Sequence, residues 1–355
     1  MMENILKKLY EKNNIKYEDL VYLLKNLDEY HKKRLFYYAK RTTLETYGNK
    51  VFLRGLLEFS NYCNNNCLYC GLRSDNENII RYRLNSDEII GSFAEADEMG
   101  YKTLVLQSGE DEYFTDQRLV NLIKNIKTEF PEIAVTLSLG ERNYESYKRL
   151  FKAGADRYLL RHETVNEKRY NELHPGQNFS KREKCLKNLK EIGYQTGAGF
   201  IVGLPGQSLE DIAHNLIFLK EHELDMVGLG PLISHPETPL AGTERGSIEL
   251  TLISYAISRL LLPETLLPAT TALNTLDERG WEKGLKAGAN VIMPNLSPKA
   301  NRDKYEIYQN KGDTDVSELD KIKERVKKVG FEVSMARGDS LKWLKENNCR
   351  RLNND

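Results

Sequence analysis

The sequence predicts an α/β fold, a single (β/α)8 TIM barrel carrying N-terminal helices and a short C-terminal extension. One supporting observation is a junction that recurs four times: "EMGYKTLVL" (98–106), "KAGADRYLL" (152–160), "EIGYQTGAG" (191–199) and "KAGANVIMP" (286–294). Each is a charged helix end, a glycine and a β-rich run, and glycine there suits the left-handed position that stops a helix before the next strand. The other is the strand count. Candidate strands begin near Val51, Thr103, Ile133, Asp156, Gln195, Asp225, Leu266 and Asn290. Eight alternations over about 240 residues suit a barrel, which takes roughly 250. A doubly wound sheet is the alternative, but no G-x-G-x-x-G opens a helix after the first strand.

Taken in order, residues 1–48 read as two charged amphipathic helices packed on the bottom or side of the barrel. The barrel spans 49–310, and 311–355 form a C-terminal extension packed on it. Within the tail, "IKERVKKVGFEVSMARG" has a helix–Gly–strand pattern that either adds a last helix and strand or covers the barrel. A chain of 355 residues suits one large barrel or two ordinary domains, and no low-complexity linker divides it. Formal net charge is zero, so no footprint for nucleic acid or an anionic membrane appears. No apolar run is long enough to cross a bilayer, and the charged start lacks a signal-peptide core. The expected location is the cytoplasm.

Five cysteines include three crowded into eight residues, which argues against a disulfide framework and for a reduced metal site. Cys185 and Cys349 stand alone and read as spectator thiols. The crowded stretch is "EFSNYCNNNCLYCGLRSDN" (Glu58–Asn76), where Cys63, Cys67 and Cys70 follow C-x3-C-x2-C. It follows the first strand and so lies at the C-terminal mouth, where barrel active sites sit. Most zinc and iron–sulfur sites take four protein ligands. A small molecule with an amine and a carboxylate could complete a four-iron cluster held by three thiolates. The alternative is a Cys3His zinc site using His162 or another of the six histidines, although no second paired motif accompanies it.

Strand alternation places further candidates. In "DRYLLRHET", Leu159, Arg161 and Glu163 share one face and Leu160 and His162 the other; a structural ion pair, or surface charges past the strand end, is the plainer reading. Thr136 and Ser138 share a face in "AVTLSLG". Gly197 and Gly199, then Met226, Gly228 and Gly230, alternate in a way that suits a ligand cavity, with turn or bulge glycines as the alternative.

The aromatic before the last motif cysteine, Tyr69, completes the signature of radical S-adenosylmethionine (SAM) enzymes. Together "EFSNYCNNNCLYCGLRSDN", "LVLQSGED", "TLSLGE", "DRYLLRHET", "GLPGQ", "DMVGLGP", "PATTA" and "GANVIMPN" make the chain resemble the HydE family, the radical SAM maturases of FeFe-hydrogenase, from about Phe52 to Tyr308. The resemblance implies a barrel of the radical SAM type. It also implies one 4Fe–4S cluster on Cys63, Cys67 and Cys70, with SAM at the fourth position, cleaved on reduction to methionine and a 5′-deoxyadenosyl radical. SAM contacts would come from Tyr69, Ser138, Glu163 and Arg182, the last gripping the carboxylate as a planar guanidinium can; without the resemblance Arg182 is a solvated helix charge. "GLPGQ" would shape a loop near the adenine.

Substrate contacts would fall at Ser108, Thr136, Arg161, Thr270, Thr271 and Tyr305, with Met226 and Met293 as cavity wall or ordinary core. The implied substrate is a small iron complex bearing carbonyl, cyanide and cysteine, used in assembling the hydrogenase di-iron subcluster. Implied partners are other hydrogenase maturation proteins and an electron donor such as ferredoxin or flavodoxin. Some HydE proteins carry a further cysteine trio beyond the last strand; here Tyr305–Val333 has no cysteine, so a single cluster is expected. Rival readings are a methylornithine synthase-like mutase, a biotin synthase-like enzyme and a noncatalytic metal-binding scaffold.

Overall fold

The structure is a computed structural model that describes residues 1–312 and 314–352, with side chains through 347. The isolated Cys349 therefore lies outside the described side chains.

The first barrel strand is split at Arg54 into β1 (Lys50–Leu53) and β2 (Gly55–Ser60). It is followed by β3 (Thr103–Ser108), β4 (Ala134–Ser138), β5 (Arg157–Leu159), β6 (Gln195–Ala198), β7 (Ile201–Val202), β8 (Met226–Val227), β9 (Gly230–Pro231), β10 (Val291–Ile292) and β11 (Glu332–Ser334). The run β2-β3-β4-β5-β6-β8 is parallel throughout, β7 continues onto β9, and β10 pairs with β1. Single parallel bridges, Met226 to Leu266 and Pro268 to Val291, close the ring. The seventh position, expected as a strand from Leu266, is thus only a bridged segment; Pro268 has no N–H to extend a ladder. The eight expected starting points otherwise coincide with the ring.

The four junction glycines, Gly100, Gly154, Gly193 and Gly288, all have positive φ, from 83° to 117°. Gly154 also donates to the Leu150 and Phe151 carbonyls as its helix ends. At the opposite end of each unit, Asn85, Thr115, Asn143, Asn166, Asn178, Ser208 and Ser247 cap the following helix through their side chains. Each such cap contributes about 1 kcal/mol and fixes where a loop at the mouth ends.

Outward residues such as Leu53, Leu57 and Phe59 join the main core between sheet and helices. Phe52, Met226, Leu266 and Val291 form a smaller cluster with Met293 packed on it.

The N-terminal region holds three helices, Met2–Lys12, Tyr17–Asn26 and Glu29–Tyr47, rather than the expected two. The breaks are short-range: Asn13 takes a left-handed conformation (φ 51°), and Asp28 caps the third helix by accepting from the His31 amide. Neither interrupts the charged, amphipathic composition. These helices lie along the flank, where Asn13 Nδ2 donates to the Leu260 carbonyl at 2.9 Å and Thr43 Oγ1 to that of Gly288 at 3.1 Å.

In the tail, the helix Leu319–Lys327 leads through Gly330 to β11, which pairs in parallel with β1. Residues 337–340 then meet the N-terminal ends of the strands. Asp339 Oδ1 lies 2.7 Å from Arg157 Nη2 and 2.6 Å from Gln195 Nε2, and the Gly338 carbonyl accepts from Arg54 Nη2 at 3.3 Å. A Cβ at Gly338, where φ is 56°, would come within 2.6 Å of the Phe52 ring. Among the described residues no helix is long and apolar enough to cross a membrane.

Candidate active site

The loop after β2 carries Cys63, Cys67 and Cys70 as free, partly buried thiols. All three line a cavity of about 330 Å³. The loop is tied down by one guanidinium: Arg81 donates to the carbonyls of Asn61, Leu72, Arg73 and Asn76 at 2.6–3.1 Å. The end of β3 presses on it, since a Cβ at Gly109 would stand 2.2 Å from the Tyr62 carbonyl. Several N–H groups reach the sulfurs: Glu110 N lies 3.4 Å from Cys63 Sγ and Gln177 Nε2 3.9 Å from Cys67 Sγ, and the Asn65 and Leu72 amides lie against Cys63 and Cys70.

Burial, followed by Cys63, pushes Cys70 up to about 12. Burial, with Cys70 and Cys63 nearby, raises Cys67 as well. Thiols crowded this way hold their protons in the absence of a metal and would release them to solvent on binding a cationic centre that needs thiolates. Among the described residues no three His, Cys, Asp or Glu groups are placed to hold a single metal ion. The three cysteines instead share one cavity wall. His162, weighed as a zinc ligand, points elsewhere. It is buried against Phe218, with Nε2 3.0 Å from Asn215 Oδ1, and burial lowers it to about 3.

Beyond β5, where the strand has ended, the expected division of side chains still holds. Leu159, Arg161 and Glu163 line the cavity, while Leu160 joins the outer core. Glu163 has φ 60°, a left-handed conformation that costs energy in a non-glycine residue and clusters at functional sites. Its Oε2 is 3.0 Å from Arg161 Nη2, which also donates to the Phe200 carbonyl at 3.0 Å. Burial raises the Glu163 carboxyl, against the pull of Arg161 and Arg182. Tyr69, Ser108, Ser138, Thr270, Thr271, Tyr305 and Met293 line the same space, as do Gly228 and Gly230.

Other expected positions differ. Thr136 is buried and does not line the cavity, because it sits two residues, about 6–7 Å, below Ser138 on the strand. Met226 is buried with the inner cluster. Gly197 and Gly199 open no space: a Cβ at Gly199 would lie 1.8 Å from the Gly228 carbonyl, so this glycine permits backbone approach.

Arg182 is neither solvated nor on the cavity wall. It is buried, with Nε 2.9 Å from Glu141 Oε1 and from Tyr170 Oη, Nη2 2.8 Å from Gln177 Oε1, and Glu110 3.8 Å away. Burial opposes its charge, but Tyr170, Glu141 and Glu110 outweigh that and raise its pKa. "GLPGQ" closes on itself, Gly203 N donating to Gln207 Oε1 at 2.7 Å and Gln207 Nε2 to the Ile201 carbonyl at 2.9 Å.

Glu58, Gln107, Tyr308 and Lys311 also line the cavity and were not expected. Lys311 Nζ lies 2.7 Å from Glu58 Oε1, both side chains being nearly sealed from solvent. Alternation with Leu56 along β2 could have revealed Glu58. Lys311 comes from the segment after the last strand, where no periodicity signals it. That segment touches the cysteine loop directly, Gly71 N donating to the Ile307 carbonyl at 3.0 Å.

Comparison with known proteins bears on this arrangement. Residues 57–219 match the radical SAM superfamily. The chain is 48% identical over 307 residues to the FeFe-hydrogenase maturase subunit HydE of Thermotoga maritima, covering 86% of this chain and 87% of that one. It is 30% identical over 325 residues to 3-methylornithine synthase of Methanosarcina acetivorans, covering 91% and 90%. The solved structure of methylornithine synthase (PylB) superposes with a TM-score of 0.82 at 27% identity, over 93% of this chain and 97% of that one. The maturase HydG from Carboxydothermus hydrogenoformans shares the fold at a TM-score of 0.81 and 23% identity, over 94% and 79%. Superfamily membership implies a 4Fe–4S cluster and SAM. With nearly half its residues identical across most of both chains, this protein is a radical SAM enzyme and belongs to the HydE family of FeFe-hydrogenase maturases.

Proposed function

We propose that Cys63, Cys67 and Cys70 hold a single 4Fe–4S cluster whose coordination SAM completes. We further propose that the chain acts on a small iron complex bearing carbonyl, cyanide and cysteine during assembly of the hydrogenase di-iron subcluster. The observation that carries this reading is that the three cysteines and the Arg161–Glu163 pair face one cavity. When bound, the cluster supplies the electron that splits SAM into methionine and a 5′-deoxyadenosyl radical. The chain supplies the surroundings. Glu163, an acceptor-only group when ionised, takes the SAM amine or ribose hydroxyls, while Ser138 and the Tyr69 backbone flank the same ligand. Arg182 lies behind the cavity wall and would reach the carboxylate by giving up its long contact to Glu110.

Arg161, Ser108, Thr270, Thr271 and Tyr305 cradle the anionic iron complex, with Thr136 below them. Apolar neighbours such as Leu159, Pro231 and Met293 keep water from the radical. Residues 1–48, 49–310 and 311–355 act as N-terminal extension, catalytic barrel and C-terminal extension. The reaction draws on other maturation proteins and on a ferredoxin or flavodoxin, in the cytoplasm.

Anaerobic complementation of a strain lacking this maturase, scored by hydrogenase activity, tests the reading; complementation is expected. The full-length likeness to methylornithine synthase favours an amino-acid mutase as the second reading, and consumption of lysine by the purified enzyme would establish it instead.

A further inference from the structure

The stretch His174-Pro175-Gly176-Gln177 closes a turn, with Gln177 N donating to the His174 carbonyl at 2.9 Å and Gly176 at φ 80°. Proline second and a positive-φ glycine third are what a type II turn requires. Both ends of this turn touch the cysteine loop. His174 Nδ1 faces the Tyr170 carbonyl at 2.7 Å, so it carries the proton, and Nε2 accepts from Tyr69 Oη at 2.8 Å. Just before the turn, the Leu173 carbonyl accepts from Leu68 N at 3.0 Å.

At the other end, the orientation of the Gln177 amide is dictated by its partners. Its Oε1 lies 2.8 Å from Arg182 Nη2 and 3.1 Å from Tyr170 Oη. A guanidinium only donates, so the atom facing it is the amide oxygen. Tyr170 Oη itself accepts from Arg182 Nε at 2.9 Å, which leaves its proton for Gln177. The amide nitrogen is thereby turned to Cys67 Sγ, 3.9 Å away. Every donor in this chain points the same way, from the Arg182 charge toward the cysteine sulfur.

We propose that Gln177 is a positioning residue for Cys67, its amide N–H donating to the cysteine sulfur and raising the reduction potential of the centre that this sulfur ligates. The inference rests on the cluster assignment above. Reduction adds one electron, from a low-potential donor, and moves no proton along the chain. Part of the added negative charge falls on the ligating sulfurs, where a hydrogen-bond donor stabilises it. The Arg182 charge polarises the donor and adds to the effect.

The test is a redox titration of the anaerobically reconstituted holoprotein, followed by EPR, with iron and sulfide measured on the same samples. Gln177→Met has a similar length and no N–H. It is expected to keep its iron and to titrate at a more negative potential than wild type. Tyr170→Phe keeps the amide but removes one of the two groups that orient it, and should shift in the same direction by less. An unchanged potential in iron-replete Gln177→Met overturns the proposal. If Gln177→Met assembles no cluster, Tyr170→Phe decides: a negative shift supports the proposal and none overturns it. Absence of a cluster from wild type would instead overturn the cluster assignment, and with it this inference.

Discussion

The Glu163 carboxylate and the Arg161 guanidinium lie 3.0 Å apart on residues two apart in the segment that follows β5, and the residue between them, His162, is fully buried. The cavity thus carries a cation and an anion that neutralise each other, each able to turn to a ligand of opposite charge. Removing either one changes a different interaction.

Arg161→Lys keeps the charge and loses the planar fork. Substrate processing is expected to fall with SAM binding largely intact. Glu163→Ala should weaken SAM binding by about tenfold or more, since a charged hydrogen bond contributes about 1.5–3 kcal/mol. Equilibrium binding of SAM and single-turnover assays on both variants separate the effects; swapped phenotypes would contradict the assigned roles.

Cys67→Ser replaces a soft thiolate with a hard hydroxyl, a poor ligand for iron in a cluster. Formation of 5′-deoxyadenosine should disappear in an anaerobic assay with reductant. Wild-type cleavage in this variant would remove the loop from the reaction.

Iron and sulfide analysis of the reconstituted protein should give about four irons per chain, the content of one 4Fe–4S cluster. Cys185 is buried on a helix, its thiol raised by burial, and is no substitute ligand set. The Cys63/Cys67/Cys70 triple variant should show no cluster spectrum; a surviving signal would reveal a second site.

Asp339 accepts from Arg157, whose side chain is fully buried. Asp339→Ala leaves that guanidinium without its carboxylate, and breaking a buried pair costs about 3–5 kcal/mol. The loss should appear as a lower midpoint in chemical denaturation. Despite burial, which acts the other way, Arg157, Arg337 and Gln195 hold the Asp339 carboxyl below its ordinary value of 3.8. Its contribution is therefore fully present above that value and is lost as pH falls toward the lowered one. Between pH 7 and 5 the wild type should show no change from this source; in acid, wild type and Asp339→Ala should converge.

The order of strands and helices, the stopping glycines and the cysteine loop were legible because each rests on short-range chemistry. A left-handed glycine, a capping side chain or a C-x3-C-x2-C spacing is decided within a few residues of itself. The facing of Arg161 and Glu163 was legible from the period-two pattern of the strand before them. But β5 ends at Leu159 and Glu163 is left-handed, so the loop's tertiary setting is what keeps both turned to the cavity. Tertiary structure decided the rest. Gly199 could be read as cavity space until the backbone of Gly228 was seen against it. Arg182 had the pattern of a solvated helix charge, and only packing shows it buried among Glu141, Tyr170 and Gln177. Lys311 meets Glu58 across 253 residues, and Asp339 reaches Arg157 across 182. Pairings at such separation leave no periodic trace, because what selects them is the closure of the barrel, which brings a charge to within reach of a partner that offsets its burial.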